Sequence, residues 1–250
     1  MTTIEIDGTE PRAQRLLETV SSSGHFTAMQ VRGGKVRGVA LHMQRLEAAN
    51  RELFGADLDP DRVRALIRHA LRDVKDASVR VFLYEGSSQP VTMVTVKQPA
   101  EIATPQGLMS VRYQRPDAHI KHVATDQGHY RRLAHRMGFD DALLTGDAGV
   151  VSETSMTNIG FFVDEGVVWP DAPMLHGITM RLLEVALPAA GMASRRAPVH
   201  LSDVASFDGA FLTNARGLAA VDRVDAQRIP VPAAMTALTD VFASLPWEPI

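Results

Sequence analysis

Residues His119–Phe162 read HIKHVATDQGHYRRLAHRMGFDDALLTGDAGVVSETSMTNIGFF, and a short HGIT run follows at 176–179. Residues near 127–137 read as a helix, and 141–145 as a short strand. A turn rich in Ser and Thr around Glu153 then feeds the apolar strand 157–163. Gly177-Ile178-Thr179 opens the helical run MRLLEVAL. This mixture of helix-period and strand-period segments predicts an α/β chain. It also sets a lysine, Lys121, a glutamate, Glu153, and a small-residue helix start in one region of sequence.

Upstream, HFTAMQV (25–31) reads as a strand, GGK (33–35) as a turn and VRGVA (36–40) as the returning strand of a hairpin. A helical repeat runs from Leu41 to Leu53 and stops at Gly55. Pro60 opens a second helix with the stripe Val63, Leu66, Ile67, Ala70, Leu71 and Val74. Two β-rich runs, 78–85 and 90–96, are joined by a Gly86-Ser87-Ser88 turn, and a third run covers 108–114. Downstream of 163 the pattern gives a strand at 167–169, a helix from Ile178 to about Ala189, strands near 209–213 and 218–224, and a helix near 232–244. The expected organisation is two-lobed: a small α/β lobe over 1–114, a linker at 115–120, and a larger lobe over 121–250, with a ligand cleft between lobes.

Composition bounds the function. The 250 residues are 45% hydrophobic and 22% charged, as in ordinary globular proteins. Twenty-six basic against 29 acidic residues give a formal charge of -3, which argues against a nucleic-acid partner. No apolar run approaches the roughly 20 residues that cross a bilayer, and no signal pattern opens the chain, so a cytoplasmic protein without membrane attachment is expected. The absence of cysteine excludes disulfides and thiolate chemistry. His119, His122, His129 and His135 lack a nearby acidic pair and match a metal site poorly, so no metal is expected.

The remaining candidates suit a phosphate-bearing cofactor with a reactive carbonyl. Lys121 can supply an amine, although an average lysine is simply solvated. Glu153 can pair with a pyridine nitrogen, or face solvent from a loop. Gly177, Ile178 and Thr179 offer first-turn amides to an anion, or plainly start a helix. Thr213 and Asn214, in FLTNARG, can add further donors. Arg45 can reach a phosphate or snorkel from its helix edge. Together these residues describe a pyridoxal 5′-phosphate (PLP) site.

The set resembles the fold-type IV PLP enzymes, the class IV aminotransferase family that includes branched-chain and D-amino-acid aminotransferases and aminodeoxychorismate lyase. The matching blocks are His42-Met43-Gln44-Arg45-Leu46, Ile120-Lys121, Gly138 to Leu144, Glu153 to Asn158-Ile159, and Gly177-Ile178-Thr179. The likeness runs from about Gly24 to Asp225. It implies the fold-type IV architecture, with the cofactor in the cleft of two lobes. It also implies that Lys121 forms the aldimine and that Glu153 faces the pyridine nitrogen. Arg45, Ile178, Thr179, Thr213 and Asn214 would hold the phosphate, with Asn158 and Gly177 completing the cofactor set. His25, Thr27, His122 and Arg216 are candidate substrate contacts, and Thr27 and the FLTNARGL block are similar to the lyase branch.

The implied function is a PLP-dependent aminotransferase acting on an amino donor and a keto acceptor, as a homodimer. An aminodeoxychorismate-type lyase releasing pyruvate and a scaffold with little turnover are the alternatives. The chain departs from the family at Ser21 to Phe26, where a Y-G-D-G-x-F approach is common, and at His122 to Thr125, after the lysine.

Overall fold

The computed structural model describes residues 2–21, 23–86, 89–164 and 166–250; Ser87 and Ser88 of the expected Gly-Ser-Ser turn lie outside the described residues. The chain divides into two compact units, one of residues 1–100, 120–124 and 246–250, the other of 101–119 and 125–245. This division differs from the expected boundary after residue 114. The strand at 106–112 is hydrogen-bonded into the second unit's sheet, whereas residues 120–124 run along a strand of the first.

The first unit contains β1 (Thr3–Ile6), α1 (Ala13–Val20), β2 (Gly24–Val31), β3 (Lys35–Val36), α2 (Val39–Phe54), α3 (Pro60–Leu71), β4 (Ala77–Tyr84) and β5 (Val91–Lys97). Its sheet runs β1-β5-β4-β2, antiparallel throughout. Alternation along β2, β4 and β5 sends Met29, Val31, Val79, Val81, Leu83, Val94 and Val96 to one face. There they pack with Val39, Met43 and Leu46 of α2 and Val63, Ile67, Ala70 and Leu71 of α3. Burying each large side chain of this layer contributes about 1.5–3 kcal/mol.

The helix ends follow local chemistry. Asp59 caps α3 by accepting from the Asp61 and Arg62 amides, and Pro60 occupies its first turn. Gly55 ends α2 in the left-handed region at φ 62°. Two expectations are corrected. The returning strand VRGVA shrinks to β3, because Gly38 turns at φ 67° and α2 begins at Val39; β2 takes β4 as its full-length partner instead. Val74 lies beyond α3 and is exposed. Before residue 25, where the sequence pattern above assigns no element, the chain forms β1 and α1.

The second unit contains β6 (Gln106–Arg112), α4 (Gln127–Arg136), β7 (Asp141–Thr145), β8 (Val151–Thr154), β9 (Asn158–Val163), β10 (Gly166–Pro170), α5 (Ile178–Ala189) and β11 (Ser194–Ala197). After a 3-10 turn at Leu201–Ser206 come β12 (Gly209–Asn214), β13 (Gly217–Val224), β14 (Gln227–Arg228) and α6 (Ala234–Ser244). The last strand, β15 (Glu248–Pro249), returns to the first unit and pairs with β3.

The mixed sheet of this unit runs β11-β10-β9-β12-β13-β6-β7-β8, with β14 on β13; β10/β11, β13/β6 and β6/β7 are parallel. Both faces are covered, which is why GFF and ALLT read as continuous apolar runs. Ile159, Phe161, Ala210 and Leu212 join one cluster, while Phe162 and Phe211 alternate into another with Met180, Leu183 and Leu187 of α5 and Leu238 of α6. Gly160 makes room for Phe211: a Cβ there would lie 2.4 Å from the Phe211 ring.

Candidate active site

In the first unit, residues around Lys121 lie antiparallel to the start of β2. Phe26 N–H donates to the Lys121 carbonyl (2.9 Å), Val123 N–H donates to the Gly24 carbonyl (2.9 Å), and His25 bridges His122. The backbone of Lys121 is thus fixed to a sheet edge; the residue is half-buried, and its Nζ stands 4.9 Å from the Phe26 ring centre. The aromatic face supports a cation without neutralising it.

Alternation along β2 puts His25 and Thr27 on the helix side, opposite Phe26. Thr27 is fully buried, and its hydroxyl lies 2.6 Å from His42 Nδ1 and accepts a hydrogen bond from Arg45 Nη2. Of the four candidate substrate contacts, Thr27 therefore spends its hydroxyl on α2. His25 is 1% exposed and packs against Phe54. Burial, then the nearby His122 and Arg45, lower its pKa to about 4 against the opposing pull of Asn50, so the ring is neutral at pH 7. His42 is likewise held neutral by burial and by Arg45. His122 is half-buried.

In the second unit Glu153 lies on β8, within the sheet and not in a turn, and is 4% exposed. One carboxylate oxygen accepts from Arg115 Nε at 3.0 Å and the other from the Leu175 amide at 3.3 Å. Arg115 is 5% exposed and also donates to the Ala118 carbonyl. A buried carboxylate needs such a cation, since leaving it alone in a dry site costs several kcal/mol. Arg115 did not stand out in the sequence. The signal was present: a glutamate assigned to a buried site implies a cationic partner, and RPDAHIK holds one.

Asn158 on β9 donates from Nδ2 to the Leu175 carbonyl at 2.6 Å, so Leu175 is tied at its amide to Glu153 and at its carbonyl to Asn158. This fixes the chain just before α5. Gly177 is the N-cap of α5, and a Cβ on it would come within 2.1 Å of Asn158 Oδ1. The first-turn amides of α5, at Ile178 and Thr179, have no acceptor within the helix by its geometry.

Thr179 Oγ1 donates to the Asn214 carbonyl at 2.9 Å, which joins the α5 start to the β12–β13 turn. The Thr213 hydroxyl beside it is buried and has no hydrogen-bond partner among the described residues. Asn214 Oδ1 accepts the Arg216 amide at 2.7 Å, while the Arg216 residue itself is exposed. An orphaned buried hydroxyl next to a glycine-opened helix start fits an anionic group such as a phosphate.

Asp141 anchors the turn after Glu153. It accepts from Thr154 Oγ1 (2.8 Å), the Ala142 amide (2.8 Å) and Ser155 Oγ. Burial pushes its carboxyl above the usual range despite these bonds. Among the described residues no group of His, Asp or Glu is arranged to hold a metal, and no helix is long and apolar enough to cross a membrane.

Comparison with known proteins places the chain in an aminotransferase family. The family described as "Amino-transferase class IV" matches residues 24–224. The chain belongs to that family. Among solved structures it is similar to the PLP-bound form of a hypothetical aminotransferase from Mycobacterium tuberculosis (TM-score 0.83, 20% identity, 97% of this chain and 98% of that one). It is similar to a putative 4-amino-4-deoxychorismate lyase from Legionella pneumophila (0.81, 20%, 91% and 92%). A third is the branched-chain aminotransferase from the thermophilic archaeon Thermoproteus uzoniensis with norvaline (0.85, 16%, 96% and 93%). No curated protein sequence matches the chain.

Proposed function

We propose that the protein is a PLP-dependent aminotransferase that moves an amino group between an amino acid or amine and a keto acid or ketone. The observation that carries this reading is the buried Glu153–Arg115 pair, with Leu175 fixed between Glu153 and the start of α5. A salt-bridged carboxylate in a dry site suits a pyridine nitrogen that must stay protonated. PLP, when bound, supplies an electron sink for the substrate's α-carbon.

The chain's own residues divide the work. Lys121 is assigned covalent attachment of the cofactor and movement of the substrate α-proton. Glu153, oriented by Arg115, would hold the proton on the ring nitrogen. The Ile178 and Thr179 amides, the Thr213 hydroxyl, Asn214 and Arg45 would bind the phosphate. Thr179 would use its amide, because its hydroxyl already donates to Asn214. Gly177 and Asn158 would shape the cradle without touching the reacting atoms. His122 and Arg216 are kept as substrate-side candidates. We further propose a cytoplasmic homodimer, testable by cell fractionation and by sedimentation.

The test begins with protein saturated with PLP. Borohydride reduction should attach the cofactor to the peptide carrying Lys121, and Lys121→Ala should abolish that adduct. An amino donor added alone should bleach the visible band and release its keto acid. A protein that retains no PLP overturns the cofactor assignment, and pyruvate release from aminodeoxychorismate without an acceptor replaces the aminotransferase reading with a lyase.

A further inference from the structure

Thr27, His42 and Arg45 form a closed triangle of polar contacts within the first unit. Arg45 Nη2 donates to Thr27 Oγ1, Thr27 Oγ1 lies 2.6 Å from His42 Nδ1, and Arg45 Nη2 lies 3.4 Å from that same Nδ1. A guanidinium nitrogen can only donate. His42 Nδ1, which faces it, must therefore be an acceptor, with the ring proton on Nε2. The Thr27 hydroxyl then gives its hydrogen to Nδ1 and accepts from Arg45, so all three hydrogen-bonding roles are consistent.

The placement follows from sequence spacing. His42 and Arg45 are three apart on α2, hence neighbours on one helical face, and Thr27 points at that face from β2. Thr27 and His42 are 0% and 3% exposed, so packing fixes their rotamers. Arg45 itself is only half-buried. One edge of a long, flexible side chain is thus tied to two rigid groups, and both are uncharged, so neither offsets the guanidinium's charge. Burial and the adjacent guanidinium keep the imidazole neutral, which preserves its acceptor role.

We propose that Thr27 and His42 are positioning residues that preset the Arg45 guanidinium for a phosphate, which rests on the assignment of Arg45 to the cofactor's phosphate above. Preorganisation of this kind raises affinity by removing the ordering cost at the moment of binding. It acts only on ligands that carry the anion. That selectivity separates positioning from general structural support.

Protein freed of cofactor would be titrated calorimetrically with PLP and with pyridoxal, which lacks the phosphate. The ratio of the two affinities isolates the phosphate contribution. Thr27→Val and His42→Leu should lower the PLP-over-pyridoxal ratio about tenfold, the size of one misaligned hydrogen bond to a charged group, with pyridoxal affinity unchanged. Thr27→Ser keeps the hydroxyl, and His42→Asn places an amide oxygen near the Nδ1 position; both should retain most of the ratio. If Thr27→Val does not fold, Thr27→Ala against Thr27→Ser gives the same comparison. An unchanged ratio in the hydroxyl-free variants overturns the proposal, as does equal loss for both ligands, which would mark structural damage. A wild-type protein that binds PLP no better than pyridoxal would instead overturn the phosphate assignment of Arg45.

Discussion

Two charged side chains, half-buried Arg45 in the first unit and buried Glu153 in the second, are held in opposite ways. In the second, the Glu153 carboxylate is paired with the Arg115 guanidinium at 3.0 Å, and both residues are no more than 5% exposed. In the first, Arg45 is bonded to a hydroxyl and a neutral imidazole. The Thr27 and His42 contacts orient the Arg45 charge through neutral dipoles. Arg115 compensates the Glu153 charge with its opposite. A pair of opposite charges is tolerant of its surroundings while both members remain, and severe when one is lost.

That asymmetry gives the largest expected effect. Arg115→Ala leaves Glu153 buried without this cation and should destabilise the protein by about 3–5 kcal/mol, read from denaturant midpoints. Arg115→Met with Glu153→Gln removes both charges and should recover most of that loss. If Arg115→Ala costs as little as an exposed substitution, the Glu153 site is wetter than its burial indicates and the contrast between the units fails.

Acid separates His25 and His42 from Asp141 by sign. His25 has a pKa lowered from 6.5 to about 4 by burial, and His42 lies well below 6.5 for the same reason. The unfolded chain binds more protons than the folded one across that window. Stability from these histidines is therefore full above 6.5 and lost as pH falls toward about 4, by about 3 kcal/mol for His25. Asp141 in the second unit shifts upward from 3.8, so its folded form binds protons more readily. Its contribution is present below 3.8 and is lost as pH rises through the folded value. His25→Leu should flatten the stability slope between pH 6.5 and 4, and Asp141→Asn should steepen it. Two variants changing the slope in the same direction would contradict the assignment.

The sequence was most informative where function and local geometry coincide. The start of α5 at Ile178, the end of α2 at Gly55, the start of α3 at Pro60, and the buried strands 141–145 and 158–163 all carry their signals locally: a glycine, a cap, a proline or a continuous apolar run. The elements that escaped depend on distant partners. Strand β8 is VSET, half polar, and its Ser and Thr hydroxyls are satisfied by Leu144 and Asp141 across the sheet. The strand β11 reads SRRA and exists because β10 offers it a parallel edge. The hairpin after β2 failed for a related reason, since the alternation that marks β2 does not say that β4 will claim it. Among the proposed site residues, Lys121, Glu153, Arg45 and Thr179 were legible as residue types in family blocks. Arg115 was not, because it reaches Glu153 from 38 residues away. Asp141 and His42 stand in the matching blocks, but their side-chain partners Thr154, Ser155 and Thr27 are distant in sequence and carry no local signal.

A smaller effect tests how rigidly the second unit holds its helix start. Gly177→Ala places a methyl 2.1 Å from Asn158 Oδ1, which must move and loosen its bond to Leu175. A destabilisation of about 2 kcal/mol is expected. The double variant with Asn158→Ala should cost less than the sum of the two single changes, because the clash is gone. Strict additivity in thermal unfolding would show that the turn relaxes freely, and the unit would then be the less rigid of the two.

The smallest effect concerns how α2, which carries His42 and Arg45, is anchored. Its N-cap is Gly38, which has no side chain to accept an amide. The cap comes instead from Glu248 of β15, whose carboxylate accepts the Val39 amide at 3.1 Å. A carboxylate at a helix N-terminus satisfies a free amide and meets the positive end of the helix dipole. Glu248→Gln keeps an oxygen acceptor and loses only the charge, so it should cost a few tenths of a kcal/mol. Glu248→Ala loses both and should cost about 1 kcal/mol. The same two variants should leave the PLP-over-pyridoxal ratio unchanged, because Thr27 and His42 hold Arg45 independently of the helix cap. A ratio that falls with Glu248→Ala would mean that the guanidinium is set by the position of the whole helix, and the two-residue anchor on Arg45 would lose its explanatory role.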